Sequence, residues 1–338
     1  MAAFCVQLIL MISNPEISPN LVVHADWSSS PQKRWMARAV LLESGRYLAH
    51  VPEPVGEPAT LLRRLSTGTG PGGIVLLGFD FPIGLPVRYA DLAGVNHFLD
   101  LLPQLGHGDW ADFYTVAEEP DHINLHRPFY PHRSGHARQP HLLDGLGVAS
   151  MNNLRRQCDL GYPGRKPACP LFWTLGGQQV GKAAITGWKE VLGPALRSGD
   201  IDVALWPFAG RLFDLFRPGR VVIAETYPAE VYTHLGVKFN RNRAGHKSGK
   251  RVQRDRAANA ARLLGWADTA QIELAPALRS AIVDGFGTWP DGDDRFDATI
   301  GLFGILNVIL GRQPPGEPED ERVRKIEGWI LGQAYPGR

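Results

Sequence analysis

The chain has 338 residues, with 36 Lys and Arg against 34 Asp and Glu, 38 Gly, 27 Pro and a hydrophobic fraction of 44%. That length fits one large domain or two modest ones with a sizeable core, and a formal net charge of +2 points by itself to neither a nucleic-acid nor a membrane partner. The three cysteines, Cys5, Cys158 and Cys169, are a poor match to a disulfide framework, which favours a reducing, cytoplasmic setting.

From the N-terminus, the first twelve residues (MAAFCVQLILMI) are apolar, with no Lys or Arg ahead of the apolar run. That is unlike a secretory signal, and the run is too short for a bilayer-spanning helix. Residues 1–20 read as a flexible leader ending in the turn-rich SNPEISPN. LVVHADWS (21–28) is an apolar run that closes on Asp26, as expected of a buried strand. RWMARAVLLE (34–43) and RYLAHV (46–51), separated by Ser44 and Gly45, form an expected hairpin. Helical spacing appears in EPATLLRRL (57–65), and GGIVLLGFDFPIGLP (72–86) gives a second apolar strand that runs into Asp80. Residues 21–90 are thus the expected first half of an α/β core.

Residues 91–218 break this alternation. They are rich in Pro, Gly, His and aromatics, and read as a helical and loop insertion whose clearest helix is QQVGKAAITGWKEVLGPALRS (178–198). Alternation resumes over 219–312, the expected second half of the core. RVVIAETYP (220–228) is a strand ending in Glu225, and PAEVYTHLG (228–236) is a short helix. Segments 249–265 and 269–286 look helical. DDRFDATIGLFGILNVILGR (293–312) opens with acids, which suit a helix N-terminus, and then turns almost wholly apolar, as a buried helix does. Residues 313–338 are expected to carry a last amphipathic helix over about 319–333. No segment beyond the leader suggests a membrane span.

Three expected strands therefore end in a carboxylate, Asp26, Asp80 and Glu225. Ligands of open α/β sheets sit beyond the carboxyl ends of strands. A fourth element begins with Asp293, Asp294 and Asp297, whose spacing puts Asp297 on one helical face with either of the other two. Singly, an acid after a strand is as well explained as an N-cap or turn former. Together, such carboxylates repel one another unless a cation sits among them, and hard oxygen donors suit Mg²⁺ or Mn²⁺. Such ions can activate water for phosphodiester cleavage. Pro228 fits the first turn of its helix and restrains Tyr227 to extended geometry, holding Glu225 at a strand end.

HADW (24–27), GFDFPIGLP (78–86), ETYPAEVY (225–232) and DDRFDATIG (293–301) together resemble an uncharacterised bacterial family of predicted nucleases with a ribonuclease H-like fold, a domain of unknown function. The matching pieces span nearly the whole chain after the leader, and GFDFPIGLP and ETYPAE are the most specific. The resemblance implies a ribonuclease H-like mixed sheet flanked by helices, with Asp26 on the first strand, Asp80 on the fourth and Glu225 on the fifth. Asp294 and Asp297 would lie on the final core helix, where their spacing is similar to that of the last acids of Holliday-junction resolvases. Asp26, Asp80, Glu225, Asp294 and Asp297 are then the expected catalytic and metal-holding residues. Trp27 stands where many relatives have Gly or Ala after the first acid, and is expected to narrow the site.

The stretch 238–256 (KFNRNRAGHKSGKRVQRDR) carries Lys238, Arg241, Arg243, Lys247, Lys250, Arg251, Arg254 and Arg256 against the single acid Asp255. It reads either as a basic loop that contacts the phosphates of a nucleic acid or as a solvated loop and helix face. Arg243, Lys247, Lys250, Arg251 and Arg254 are the candidate substrate-binding residues. GGQQVGKA (176–183) has the glycine and lysine spacing of a phosphate-binding loop, but Ala183 stands where Ser or Thr is needed; Lys182 remains a candidate phosphate contact from a helix N-terminus. The histidine-rich 122–141 has His122 with His126, and His132 with His136, at zinc-pairing spacing. Pro128, Pro131 and Pro140 oppose the helix that pairing needs, so a surface or phosphate-contacting loop is expected. The leading expectation is a metal-dependent nuclease. Enzymes acting on a nucleotide or other small phosphorylated molecule, and a non-catalytic binding module, are the alternatives.

Overall fold

The computed structural model describes residues 18–161, 165–175, 180–239, 249–288 and 290–334. Its strands are β1 (Leu21–Asp26), β2 (Trp35–Leu41), β3 (Tyr47–Ala49), β4 (Glu53–Pro54), β5 (Val75–Phe79), β6 (Val203–Leu205), β7 (Val221–Glu225) and β8 (Glu273–Leu274). Its helices are α1 (Pro58–Gly68), α2 (Val87–Leu92), α3 (Phe98–Leu101), α4 (Gln139–Leu146), α5 (Val180–Gly187), α6 (Gly193–Ser198), α7 (Pro228–His234), α8 (Gln253–Ala257), α9 (Ala260–Thr269), α10 (Pro276–Asp284) and α11 (Gly292–Ile309).

The strands form one mixed sheet in the order β6-β7-β5-β1-β2-β3-β8, with β4 paired to β2. β1, β2 and β3 form an antiparallel meander. On the other side of β1, β5 and then β7 join in parallel. β1, β5 and β7 are continuous apolar runs because both faces of the sheet are covered. On one face, Val23, Ala25, Leu77, Phe79 and Ile223 pack with α1 and the aromatics of the long middle segment, among them Phe98, Phe113, Phe129 and Trp188. On the other, Val22, Leu76, Val222 and Ala224 pack with α9, α10 and α11.

α11 is the central helix of that second layer and crosses β1 and β2. It buries Phe296, Ile300, Leu302, Phe303, Ile305, Leu306 and Val308. Each such side chain contributes about 1.5–3 kcal/mol when taken from water, so the helix is apolar all round because it is enclosed all round. The approach is close at Gly301, where an added Cβ would lie 2.3 Å from atoms of the His24 ring on β1.

The expected strands at 21–28 and 220–228, the hairpin, the helix at 57–65 and the apolar helix at 293–312 are present. Three expectations need correction. The segment 91–218 is not wholly an insertion, since β6 near its end pairs in parallel with β7 at the sheet edge. Segment 269–286 is not one helix; Glu273–Leu274 pairs with β3 before α10 begins. The C-terminal helix is shorter than expected: among the described residues the chain is helical over 321–327, with Val323–Glu327 a π turn ended by Gly328 at φ 67°. Past it the backbone runs extended, and Leu331 N–H donates to the Glu225 carbonyl at 2.8 Å. Ile330 and Leu331 are buried, and Ile330 pairs in parallel with Glu225 of β7. Of the expected leader, 1–17 lies outside the described residues. Among the described residues, no helix is long and apolar enough to cross a membrane.

Candidate functional site

Pairing of β1 with β5 sets Ala25 opposite Phe79, so Asp26 and Asp80 leave adjacent parallel strands at the same level. Side chains alternate faces along a strand. Asp26 and Asp80 therefore share the face of Val22, Leu76 and α11, and the first turns of α11 bring Asp294 and Asp297 to them. Asp26 and Asp297 are buried. Burial pushes the Asp26 carboxyl well up, and the charges of Asp80, Asp297 and Asp294 push it further. Burial likewise raises Asp80 to about 6, against the pull of the Trp27 N–H, which donates to Asp80 Oδ1 at 2.6 Å. Asp294 is raised to about 6 by burial and by Asp293. Of the expected acids, Asp80, Asp294 and Asp297 lie near enough to Asp26 for their charges to act on it.

Glu225 does not join them. Phe79 pairs with Glu225, one residue short of Asp80, so the Glu225 side chain leaves the opposite face of the sheet. There the buried Arg156 guanidinium holds it with two bonds of 2.6 Å, to Oε1 and Oε2. Arg156 also donates to Asp159, at 2.9 and 3.1 Å, and the Ile83 N–H donates to Glu225 Oε2 at 2.7 Å. Glu327 accepts from the N–H groups of Val87 and Gln157 beside this network. Glu225 thus fastens the FPIGLP loop to the middle segment. Burial pushes its carboxyl up, and Arg156 pulls it back. The β7 residue level with Asp80 is Thr226, whose N–H donates to the Phe79 carbonyl at 2.7 Å and whose buried hydroxyl has no partner.

Trp27 does not narrow the site. It falls on the far face with Ala25, where its indole packs edge-on to Phe79 and Phe81, donates to Thr186 Oγ1 at 3.0 Å and lies under the Arg34 guanidinium. Only its backbone N–H serves the acids.

Two donors meet at Asp297. Tyr232, from α7, donates to Oδ1, and the Lys250 ammonium donates to Oδ2. Burial raises the Asp297 carboxyl, and Lys250 opposes that rise most strongly. Burial pulls the Lys250 ammonium down, but Asp297, Asp26 and Asp293 outweigh it, so the lysine is held charged. Lys250 was expected as a phosphate contact; here its ammonium lies among the carboxylates, because that is where uncompensated negative charge is buried. Tyr232 lay within ETYPAEVY without an assigned role. Its helix spacing from Pro228 marked it as helical, but nothing local to it names Asp297.

The other candidate contacts scatter. Arg251 is exposed, and Arg254 is exposed beside Asp255 at 3.3 Å. Arg256 is not part of a basic surface: it is buried and donates to the carbonyls of Lys250, Gly285 and Gly287. Lys182 lies in α5, one turn before Thr186 and away from the acid face. Arg243 and Lys247 lie outside the described residues, as do 176–179 of the glycine-rich stretch. In the histidine-rich segment, 123–138 is not helical and α4 starts only at Gln139, so the expected loop is found. Among the described residues, no group of three or more His, Cys, Asp and Glu is placed so that it could hold a metal ion. Compared with protein-family models, with curated proteins and with solved structures, the chain matches none.

Proposed function

We propose that the chain is a divalent-metal-dependent hydrolase of phosphodiesters, a nuclease on a ribonuclease H-like sheet. The observation that carries this reading is the gathering of Asp26, Asp80, Asp294 and Asp297 at one end of the sheet: burial raises Asp26, Asp80 and Asp294, helped at Asp26 by the charges of Asp80, Asp297 and Asp294, at Asp80 by Asp297, and at Asp294 by Asp293 and Asp297. Carboxylates crowded in this way favour a cation, and an all-oxygen donor set suits Mg²⁺ or Mn²⁺. The fit is supported by Asp294 Oδ2, a buried oxygen with no partner. Asp26, Asp80 and Asp294 would hold the ion, which supplies Lewis acidity toward water and a phosphoryl oxygen. Tyr232 and Lys250 fix Asp297 and trim the local negative charge, which would otherwise repel a phosphodiester.

The meander β1-β2-β3, with parallel β5 and β7 beyond β1, supports the ribonuclease H-like assignment, as does the placement of Asp26 and Asp80 at adjacent strand ends. Exposed Arg251 and Arg254, close in sequence to Lys250, favour a polyanion such as nucleic acid over a small phosphorylated molecule. A cytoplasmic setting is part of the same reading and rests on the sparse cysteines. The test is incubation of single- and double-stranded DNA and RNA with the full chain in Mg²⁺ or Mn²⁺. Cleavage is expected, and Asp26→Asn is expected to abolish it. Undiminished cleavage by Asp26→Asn removes this mechanism.

A further inference from the structure

A polar cavity of about 430 Å³ lies on the histidine-rich segment, which the proposed hydrolysis leaves unused. Tyr130, 2% exposed, is its most deeply buried lining residue and belongs to the aromatic layer on the face of the sheet opposite α11. The backbone there is pinned from both sides. Tyr130 N–H donates to the Phe172 carbonyl at 2.9 Å, Thr174 N–H donates to the Tyr130 carbonyl at 3.0 Å, and His132 N–H donates to the Ala117 carbonyl at 3.0 Å. The buried Thr174 hydroxyl donates to the Pro131 carbonyl at 2.5 Å.

The Tyr130 hydroxyl fixes how His141 is presented. It lies 3.0 Å from Nδ1 of His141, in the first turn of α4, and accepts from the Arg138 N–H. Burial and the nearby Glu119 charge raise the phenol, so it keeps its proton. That proton goes to Nδ1, and the His141 ring therefore carries its own proton on Nε2. The rest of the lining is charged in two senses. His132, Arg133 and His136 come from one segment, and Glu118 and Glu119 from another. All five are exposed, and none makes an ion pair with another described residue. Opposite charges that share a cavity without pairing leave room for a ligand complementary to both.

We propose that this cavity binds a small zwitterionic molecule, with its anionic group on Arg133 and the histidines and its ammonium on Glu118 and Glu119. A guanidinium presents a planar fork to a phosphate or carboxylate, and the His141 Nε2–H adds a neutral donor. An anion alone would meet the repulsion of two carboxylates, and an amine alone would leave Arg133 unanswered. An organic ammonium needs no fixed ligand geometry, which suits a lining in which no three of the His and Glu side chains are placed to hold a metal ion. The volume lies in the range of small-molecule sites, about 300–1,000 Å³. The proposal stands apart from the metal-dependent reading, because Tyr130 and α11 lie on opposite faces of the sheet.

Calorimetric titration of the full chain with O-phosphoethanolamine, inorganic phosphate and ethanolamine tests this, with EDTA present so that no metal-dependent binding enters. Phosphoethanolamine is expected to bind at least about tenfold more tightly than either phosphate or ethanolamine. Arg133→Gln is expected to weaken phosphoethanolamine and phosphate alike, by about tenfold. The double variant Glu118→Gln, Glu119→Gln is expected to bring phosphoethanolamine down to the level of phosphate without weakening phosphate itself. All three positions are exposed, so the substitutions leave the fold in place. No binding of phosphoethanolamine to wild type, an affinity no greater than that of phosphate, or variants that bind it as wild type does, overturns the proposal.

Discussion

Asp26 and Glu225 end parallel strands of one sheet yet point to opposite faces of it. The one-residue offset between Glu225 and the level of Asp80 decides this, since a slip of one residue moves a side chain to the other face. The two acids consequently do different work. Asp26 belongs to a crowded acid cluster, and Glu225 to a buried ion-pair network with Arg156.

Glu225→Ala is expected to lower stability by about 3–5 kcal/mol, because it leaves the Arg156 charge buried with only part of its compensation. Urea denaturation reads the loss. Mn²⁺ binding per folded molecule should be unchanged. A Glu225→Ala protein that is fully stable but no longer binds Mn²⁺ would return Glu225 to the metal site.

Asp80→Asn is expected to stabilise the metal-free protein near neutral pH. The folded Asp80 carboxyl is raised from 3.8 to about 6. Below pH 3.8 the group is protonated in both states and costs nothing. As pH rises from there through about 6, the unfolded chain ionises first and the folded state loses ground, by on the order of 2–3 kcal/mol once both are ionised. The stability gap between Asp80→Asn and wild type should therefore open between about pH 4 and pH 7, and Asp294, also raised to about 6, should behave in the same direction. A gap that closes as pH rises contradicts the crowding at this site.

The acids at 26 and 80 were legible because each closes a continuous apolar run, and α11 was legible because its apolar stretch is too long for a strand. What the residue pattern lacked was register. Glu225 closes an equally good run, and only pairing with β5 reveals that Thr226 is the residue facing the acids. Lys250 was visible as one of many basic residues, but its selection depends on the turn that Arg256 pins from within. Arg156 lies in a segment with little periodicity, so no local pattern ties it to Glu225, 69 residues away. β6 is three residues long and is defined by its neighbour β7 more than by its own sequence.

Gly301→Ala is expected to weaken both fold and site. An added methyl would meet the His24 ring at 2.3 Å, one turn beyond Asp297, and overpacking of this kind costs about 1–3 kcal/mol. Because relief requires α11 to move off β1, Asp297 and Asp294 should move away from Asp26, and Mn²⁺ affinity should fall. Unchanged melting and unchanged Mn²⁺ affinity would show that the helix–strand approach has slack.

Arg251→Ala and Arg254→Ala, both at exposed positions, are expected to weaken nucleic-acid binding similarly across sequences. Each should lower the slope of log affinity against log salt by about 1, with Mn²⁺ binding unaltered. Salt slopes equal to wild type would place the phosphate path elsewhere.

The most direct test of the acid site is anomalous diffraction from crystals of the full chain soaked in Mn²⁺. One anomalous peak bounded by Asp26, Asp80 and Asp294, with Lys250 still on Asp297, is the predicted result. An acid cluster without a peak at saturating Mn²⁺, or a peak bound only by residues elsewhere on the chain, contradicts it.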